Sequence, residues 1–252
     1  MIRLVAFDFD GVLVDSAQEC YVTALAAFRK LGGRLADTPK ARRAFQAARR
    51  FVLVGEDFWP VLEAIEADPD VDFARLAQAD FNRLKRRHAP GRQRFANEFY
   101  HARWRMMHGD FQKWAGLQAI YPGMQQAANW AARRWQAVIL TAKDKKSTVR
   151  LLGHFGIKIG PERIISKESR GSKTAKLLRL ARQQRLRPGE ILLVEDMAAN
   201  ALAARRFGFQ VALAAWGYAS QEQLRQAQAA GIPILRNGNK RAQLERIIRS
   251  TA

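Results

Sequence analysis

Cysteine is almost missing from this sequence. Cys20 is the only one in 252 residues, which excludes an internal disulfide and any metal cluster built on thiolates. Histidine is scarce as well: His88, His101, His108 and His154 share no metal-ligand spacing across separate elements and read as structural or surface side chains. No apolar run approaches the length of a membrane span. The opening stretch Met1–Asp8 is too short in its apolar part for a secretory signal. Acidic charge is in deficit, with 23 Asp and Glu against 43 Lys and Arg, a formal net charge of +20. These absences lead to the expectation of a reduced, soluble, cytoplasmic protein. Hydrophobic residues make up 48% of the chain, enough for a sizeable core, and that excludes global disorder.

The positive charge is uneven. Residues 16–121 carry 18 basic and 12 acidic side chains, whereas 143–187 alone carry 14 basic and three acidic ones. Charge of this kind favours phosphorylated ligands, nucleic acid or other anionic partners, unless it is simply a solvated Arg-rich face.

Ile2–Phe7 is a short apolar run ending in acids and a glycine, the pattern of a buried parallel strand that opens into a loop. The spacing of Tyr21, Leu25, Phe28 and Leu31 predicts a helix over 17–31, stopped by Gly32-Gly33. Further helices are expected at roughly 38–52, 57–67, 72–88 and 91–108, with no strand signal between about 16 and 121. After Tyr121-Pro122-Gly123 the pattern changes. Helices at 124–134, 145–155, 173–185, 198–206 and 239–249 alternate with apolar runs at 137–141, 164–166, 191–196, 210–214 and 232–235. The expected fold is therefore α/β, a doubly wound parallel sheet with an inserted all-helical domain. Residues 1–16 and 121–252 would form the α/β core, and 17–120 the insert.

In such a sheet ligands bind beyond the carboxyl ends of the strands. Three strand ends place polar groups there: Asp8 and Asp10, Thr141, and Glu195-Asp196. Acids gathered from two separate strands repel one another and call for a cation. Oxygen ligands without His or Cys select a hard cation, most simply Mg2+. A hydroxyl and a lysine near the same point supply contacts to phosphate.

The run Phe7-Asp8-Phe9-Asp10-Gly11-Val12-Leu13-Val14-Asp15-Ser16 resembles the first signature of the haloacid dehalogenase superfamily. Leu140-Thr141-Ala142-Lys143 resembles its second signature, and Val194-Glu195-Asp196-Met197-Ala198-Ala199-Asn200 its fourth. Tyr121-Pro122-Gly123-Met124 resembles the return from a helical cap. Trp216-Gly217-Tyr218 and Ala230-Gly231-Ile232-Pro233 are similar to the final strand region of phosphoglycolate phosphatase-like members.

This resemblance implies a catalytic core with a helical cap, in the branch of phosphoglycolate phosphatase and β-phosphoglucomutase. It implies that Asp8 is the nucleophile that forms an aspartyl-phosphate, and that Asp10 is the acid and base, its carbonyl also binding Mg2+. Thr141 and the amide of Ala142 would hold the phosphoryl group. Asp196 would complete the metal site, with Glu195 a direct or water-mediated partner. The family's phosphate-site lysine has candidates in Lys167 and Lys173, with Lys143 a weaker third. Lys173 opens a helix after Arg170-Gly171-Ser172 and lies 23 residues before Asp196, the context that fits the family best.

Some positions depart from the family's usual pattern. Glu195 stands where many of its phosphatases have Gly, and Asn200 where a second acid is frequent, which lowers the charge at the metal. Retention of Asp10 argues against the dehalogenase branch. No lysine stands in the cap where phosphonate-cleaving members use one. The interval Thr141–Lys173 is too short for a second inserted domain.

Within the insert, Gly55-Glu56-Asp57-Phe58-Trp59 is either a specificity element or the packed start of a helix, the latter slightly favoured. Phe95, Phe99 and Trp104 read as one apolar face in the insert's core. Arg83–His88 could bind nucleic acid but equally suits a helix C-terminus. The expected function is a Mg2+-dependent phosphatase acting on a small phosphorylated substrate. The basic stretch 143–187, part of it flanking the site, would favour a larger or multiply charged ester. A phosphomutase, or a basic module binding nucleic acid or protein on a phosphatase core, is the alternative. No membrane partner is expected.

Overall fold

A computed structural model describes residues 1–250. The chain divides into two compact units, Met1–Asp15 with Ala119–Ala252, and Ser16–Gln118.

The first unit is built on a six-stranded sheet: β1 (Leu4–Phe7), β4 (Gln136–Leu140), β5 (Ile164–Ile165), β6 (Ile191–Glu195), β7 (Gln210–Ala214) and β8 (Ile234–Leu235). All neighbours are parallel, in the order β5-β4-β1-β6-β7-β8. The chain adds β4 and β5 on one side of β1, then crosses to add β6, β7 and β8 on the other. Such a reversal opens a crevice at the strand ends beside β1. Every residue of β1 is buried, as a central parallel strand requires.

Helices α9 (Lys173–Gln183), α10 (Ala198–Arg206) and α11 (Gln221–Ala229) bury Leu177, Leu180, Ala201, Ala204 and Leu224 with Leu193, Val211 and Leu213 of the sheet. Alternate strand residues such as Val5, Ile139 and Val194 are buried on the opposite face. There α7 (Met124–Arg134) packs against β4 and against α12 (Lys240–Ser250). Each large apolar side chain so buried contributes roughly 1.5–3 kcal/mol. A short antiparallel pair, β2 (Val14–Asp15) and β3 (Ala119–Ile120), marks where the chain leaves this unit and returns to it.

The second unit is helical: α1 (Ala17–Lys30), α2 (Pro39–Ala48), α3 (Phe58–Ala67), α4 (Gln78–Arg87), α5 (Arg92–Gly109) and α6 (Phe111–Ala115). Gly32, with φ 100°, follows α1 in the left-handed region that ends helices. The core of this unit is aromatic, with Phe45 stacked on Phe58 at 4.9 Å and Trp59 set against Phe95 at 5.6 Å. Beside it Glu19 is fully buried. Its Oε1 accepts from Thr23 Oγ1 at 2.9 Å, Arg103 Nε at 2.8 Å and Trp114 Nε1 at 3.2 Å, and its Oε2 accepts from Arg103 Nη2 at 2.8 Å.

Several sequence expectations need correction. The helix expected over 72–88 begins only at Gln78, because Arg50 Nη2 draws the carbonyls of Phe73, Ala74 and Leu76 to itself. The helix expected over 38–52 ends at Ala48 and continues as a 3₁₀ turn, Arg49–Phe51. Helices α6 and α11 were not foreseen, and β3 lies where no strand signal appears. Trp104 is not core: it is 51% exposed and stacks on His108. Five residues beyond Phe99, it is rotated well off the buried face of α5.

Candidate active site

Strands β1, β4 and β6 end at the crevice edge, and each delivers a polar side chain there. At the end of β1, Asp8 N–H donates to Val194 O at 2.9 Å, and Asp8 Oδ1 accepts from Phe9 N at 2.7 Å. At the end of β6, Glu195 and Asp196 are both fully buried. One carboxylate oxygen each from Asp8, Glu195 and Asp196 lie within 4.8 Å of one another.

Lys173 ties two of these acids together. Its Nζ lies 2.7 Å from Asp8 Oδ2 and 2.6 Å from Glu195 Oε2. The geometry at the start of α9 makes this reach possible: Gly171 turns with φ 96°, and Ser172 caps the helix by accepting from Ala175 N. Burial opposes a charge on Lys173, but Asp8 and Glu195 more than offset it and hold the ammonium above the usual lysine range. Of the other lysine candidates, Lys167 has an exposed side chain. Lys143 is buried and lies 3.0 Å from Asp10 Oδ1.

Glu195 is anchored on both oxygens. While Oε2 takes Lys173, Oε1 accepts from Met197 N at 3.1 Å and from Asn200 Nδ2 at 3.3 Å. Asn200 thus orients Glu195, a task for an amide that a second acid at this position would not perform.

Asp196 is different. Its Oδ2 accepts from Tyr218 N at 3.0 Å, but its buried Oδ1 has no hydrogen-bond partner. Burial and then the charges of Glu195 and Asp8 push its pKa well above the carboxylate range. Burial likewise raises Asp8 to about 7, with Lys173 opposing and Glu195 and Asp10 adding. An orphaned buried carboxylate oxygen beside two further acids is a set of hard donors short of one cation, so these residues fit a divalent metal. The backbone is shaped around it. A Cβ on Gly11, at φ 84°, would overlap the Asp196 carboxylate, and one on Gly217 would overlap Asp196 Cβ.

Thr141 and Ala142 follow β4. Thr141 Oγ1 accepts from Lys143 N at 3.0 Å, so its hydroxyl hydrogen can point to another acceptor. Ala142 is half-buried between them. The structure therefore gathers Asp8, Glu195, Asp196 and Lys173 into one cluster, and links Asp10, Lys143 and Thr141 through a second set of contacts. The basic stretch 143–187 divides: Lys143 and Lys176 are buried, Lys173 is half-buried, and the other basic side chains in it are exposed. Lys176 Nζ donates to Ser166 O at 2.7 Å. The Lys143–Asp10 contact leaves little trace in the sequence beyond a lysine three residues past the end of β4.

A haloacid dehalogenase-like hydrolase family model matches residues 2–208. The chain belongs to this family. Compared with curated proteins by sequence, it has no match. Among solved structures, the hydrolase is similar to a predicted phosphoglycolate phosphatase from Haemophilus somnus 129PT, at 20% identity and a TM-score of 0.64, covering 100% of this chain and 98% of that one. A haloacid dehalogenase-like family protein from Streptococcus pneumoniae matches at 17% identity and TM-score 0.61, covering 99% and 98%. A β-phosphoglucomutase from Clostridium difficile matches at 14% and 0.60, covering 100% and 97%. These likenesses establish the shared fold.

In the helical unit of this hydrolase, the segment 55–59 serves packing. Phe58 and Trp59 sit among Phe45, Phe99, Phe28 and Phe95. Asp57 is buried, accepting from Leu53 N at 3.1 Å and facing Arg92 at 2.6 Å and Lys85 at 2.7 Å. Lys85 of the Arg83–His88 run is thus engaged, Arg83 pairs with Asp80, and His88 lies 2.6 Å from Glu63. Among the described residues no helix is long and apolar enough to cross a membrane.

Proposed function

We propose that this hydrolase is a Mg2+-dependent phosphatase that cleaves a phosphate monoester through an aspartyl-phosphate on Asp8. The observation that carries the reading is the orphaned Oδ1 of Asp196 beside Asp8, whose other neighbour is the Lys173 ammonium. Asp8, Asp196 and the Asp10 carbonyl would hold Mg2+, with Glu195 the counter-ion that fixes Lys173 and a direct or water-mediated partner of the metal. When bound, the ion supplies positive charge that keeps Asp8 ionised and offsets charge on the phosphoryl oxygens.

The chain's own residues do the rest. The Asp8 carboxylate attacks phosphorus as the bond to the ester oxygen breaks, and the departing alcohol takes a proton from Asp10. Asp10, now a carboxylate, removes a proton from water. That water attacks the aspartyl-phosphate, releasing inorganic phosphate and restoring Asp8. Lys173 neutralises the phosphoryl oxygens, and the Thr141 hydroxyl and Ala142 amide donate to them. Lys143 positions the Asp10 carboxylate through its 3.0 Å contact.

The substrate is a small phosphorylated molecule. The exposed basic side chains of 143–187 favour an ester carrying negative charge beyond its transferred phosphate. For such an ester kcat/KM would fall with ionic strength more steeply than for a singly phosphorylated neutral alcohol.

The deciding experiment is phosphate release from a broad panel of monoesters with Mg2+, beside Asp8→Asn. Mg2+-dependent turnover in the wild type that vanishes in the variant supports the reading. No turnover on any ester overturns it, and turnover of a sugar phosphate only with a bisphosphate activator would point instead to a mutase.

A further inference from the structure

The end of the sheet opposite the crevice carries a row of arginines. Arg163 directly precedes β5, Arg3 directly precedes β1, and Arg134 stands two residues before β4. Arg187 and Arg206 each stand four residues before their strands, β6 and β7. These are five adjacent strands, so at about 4.8 Å per strand the row runs about 19 Å. Arg133, Arg185 and Arg205 stand beside it, and all eight are exposed.

The loops that bear them are tied together. Arg3 N–H donates to Glu190 O at 2.8 Å, and Gln136 N–H donates to Arg3 O at 3.3 Å. A Cβ on Gly208 would lie 3.7 Å from Pro188 Cβ, so the turn after Arg187 touches the turn after Arg206. Phe207, beside that contact, is 55% exposed. The acids on these approaches are Glu162, facing Arg163, and Glu190, facing Arg187 and Arg3.

Helix dipoles explain part of this charge, because Arg133, Arg134, Arg205 and Arg206 fall in last turns. They do not explain Arg3, Arg163 and Arg187, which end no α-helix. Nor do they explain the backbone of Arg185. It holds φ 53° after α9, a left-handed conformation that glycine adopts freely and that costs another residue about 1–2 kcal/mol.

We propose that this arginine edge is a docking surface for nucleic acid, separate from the hydrolase site. Its row of guanidinium forks matches a line of backbone phosphates. Phe207 offers a face on which a base can stack at one end of the row. An anionic membrane is the poorer fit, since the edge presents no amphipathic helix face to lie in a bilayer surface.

The test uses the full chain and fluorescent oligonucleotides of about twenty nucleotides, single-stranded and duplex, read by anisotropy between about 50 and 200 mM salt. The edge variant combines Arg134→Ser, Arg187→Ser and Arg206→Ser. The control combines Arg225→Ser, Arg236→Ser and Arg246→Ser, exposed positions elsewhere on the same unit with the same change in charge. Expected are salt-dependent binding by the wild type, at least about a ten-fold loss in the edge variant with a slope lower by about 2–3, and less than about a two-fold loss in the control. Thermal unfolding of both variants verifies that they are folded. Absence of salt-dependent binding in the wild type overturns the proposal. So does an equal loss in the two variants, or binding to vesicles of anionic phospholipid but not to oligonucleotides.

Discussion

The Lys143 ammonium lies 3.0 Å from Asp10 Oδ1, and the backbone N–H of the same lysine donates to Thr141 Oγ1 at 3.0 Å. One residue thus orients both the acid that would protonate the leaving group and the hydroxyl that would hold the phosphoryl group. Lys143→Met is expected to lower kcat/KM for alkyl phosphates by about 10²–10³-fold. For p-nitrophenyl phosphate, whose leaving group needs no proton, the loss should stay below about ten-fold. Equal losses on the two kinds of ester would remove Asp10 from Lys143's role. Rescue by Lys143→Arg would retain it.

Asp8, raised to about 7 by burial, and Asp196, raised for the same reason, set the response to pH. Each has a folded pKa above its unfolded value. The unfolded chain therefore releases these protons first, and metal-free stability falls as pH climbs from about 4 to about 7. Mg2+ competes with the same protons. Its gain in Tm is expected to be larger at about pH 8 than at about pH 5. Melting curves with and without Mg2+ test this, and a gain that is equal or larger in acid would contradict a carboxylate metal site.

Gly11 touches the same carboxylate from the backbone side. Gly11→Ala would both strain a φ of 84° and press its methyl group into Asp196. The expected result is a loss of the Mg2+-dependent gain in Tm, with Mg2+-free stability lowered by about 1–3 kcal/mol. A variant that keeps the full Mg2+ response would show that Asp196 is free to move.

Glu19 and Arg103 form a buried pair in the helical unit, 0% and 4% exposed at their side chains. Glu19→Ala leaves Arg103 charged and buried without its partner, at an expected cost of about 3–5 kcal/mol in chemical denaturation. Replacing both, Glu19→Leu with Arg103→Met, should recover most of that loss. If the double variant is no better than the single one, the loss of Glu19 as acceptor for Thr23 and Trp114, common to both variants, dominates.

Much of the site could be read in the sequence because buried parallel strands leave a plain trace. The apolar runs before Asp8, Thr141 and Glu195 mark strands, and residues that follow such runs face the ligand edge. Lys173 was legible through Gly171 and Ser172, whose turn and cap aim the helix start. Other features depend on contacts distant in sequence. The late start of α4 follows from Arg50, more than twenty residues away, capturing its carbonyls. Helix α11 buries only Leu224 and Ala227, too few for a periodic signal, although Ser220 and Gln223 form a capping box. The partner of Lys143 depends on a side-chain direction that spacing does not encode.

Val14 pairs with Ile120, and Asp15 with Ala119. The chain that departs toward the helical unit and the chain that comes back are neighbours in one antiparallel ladder. To the sheet, the whole segment Ser16–Gln118 is therefore equivalent to the tip of a hairpin. Its length adds little closure entropy to the core, since that term grows only logarithmically. Such a junction makes the helical unit modular: it can lengthen, shrink or be exchanged for another while Asp8 and Asp196 keep their places.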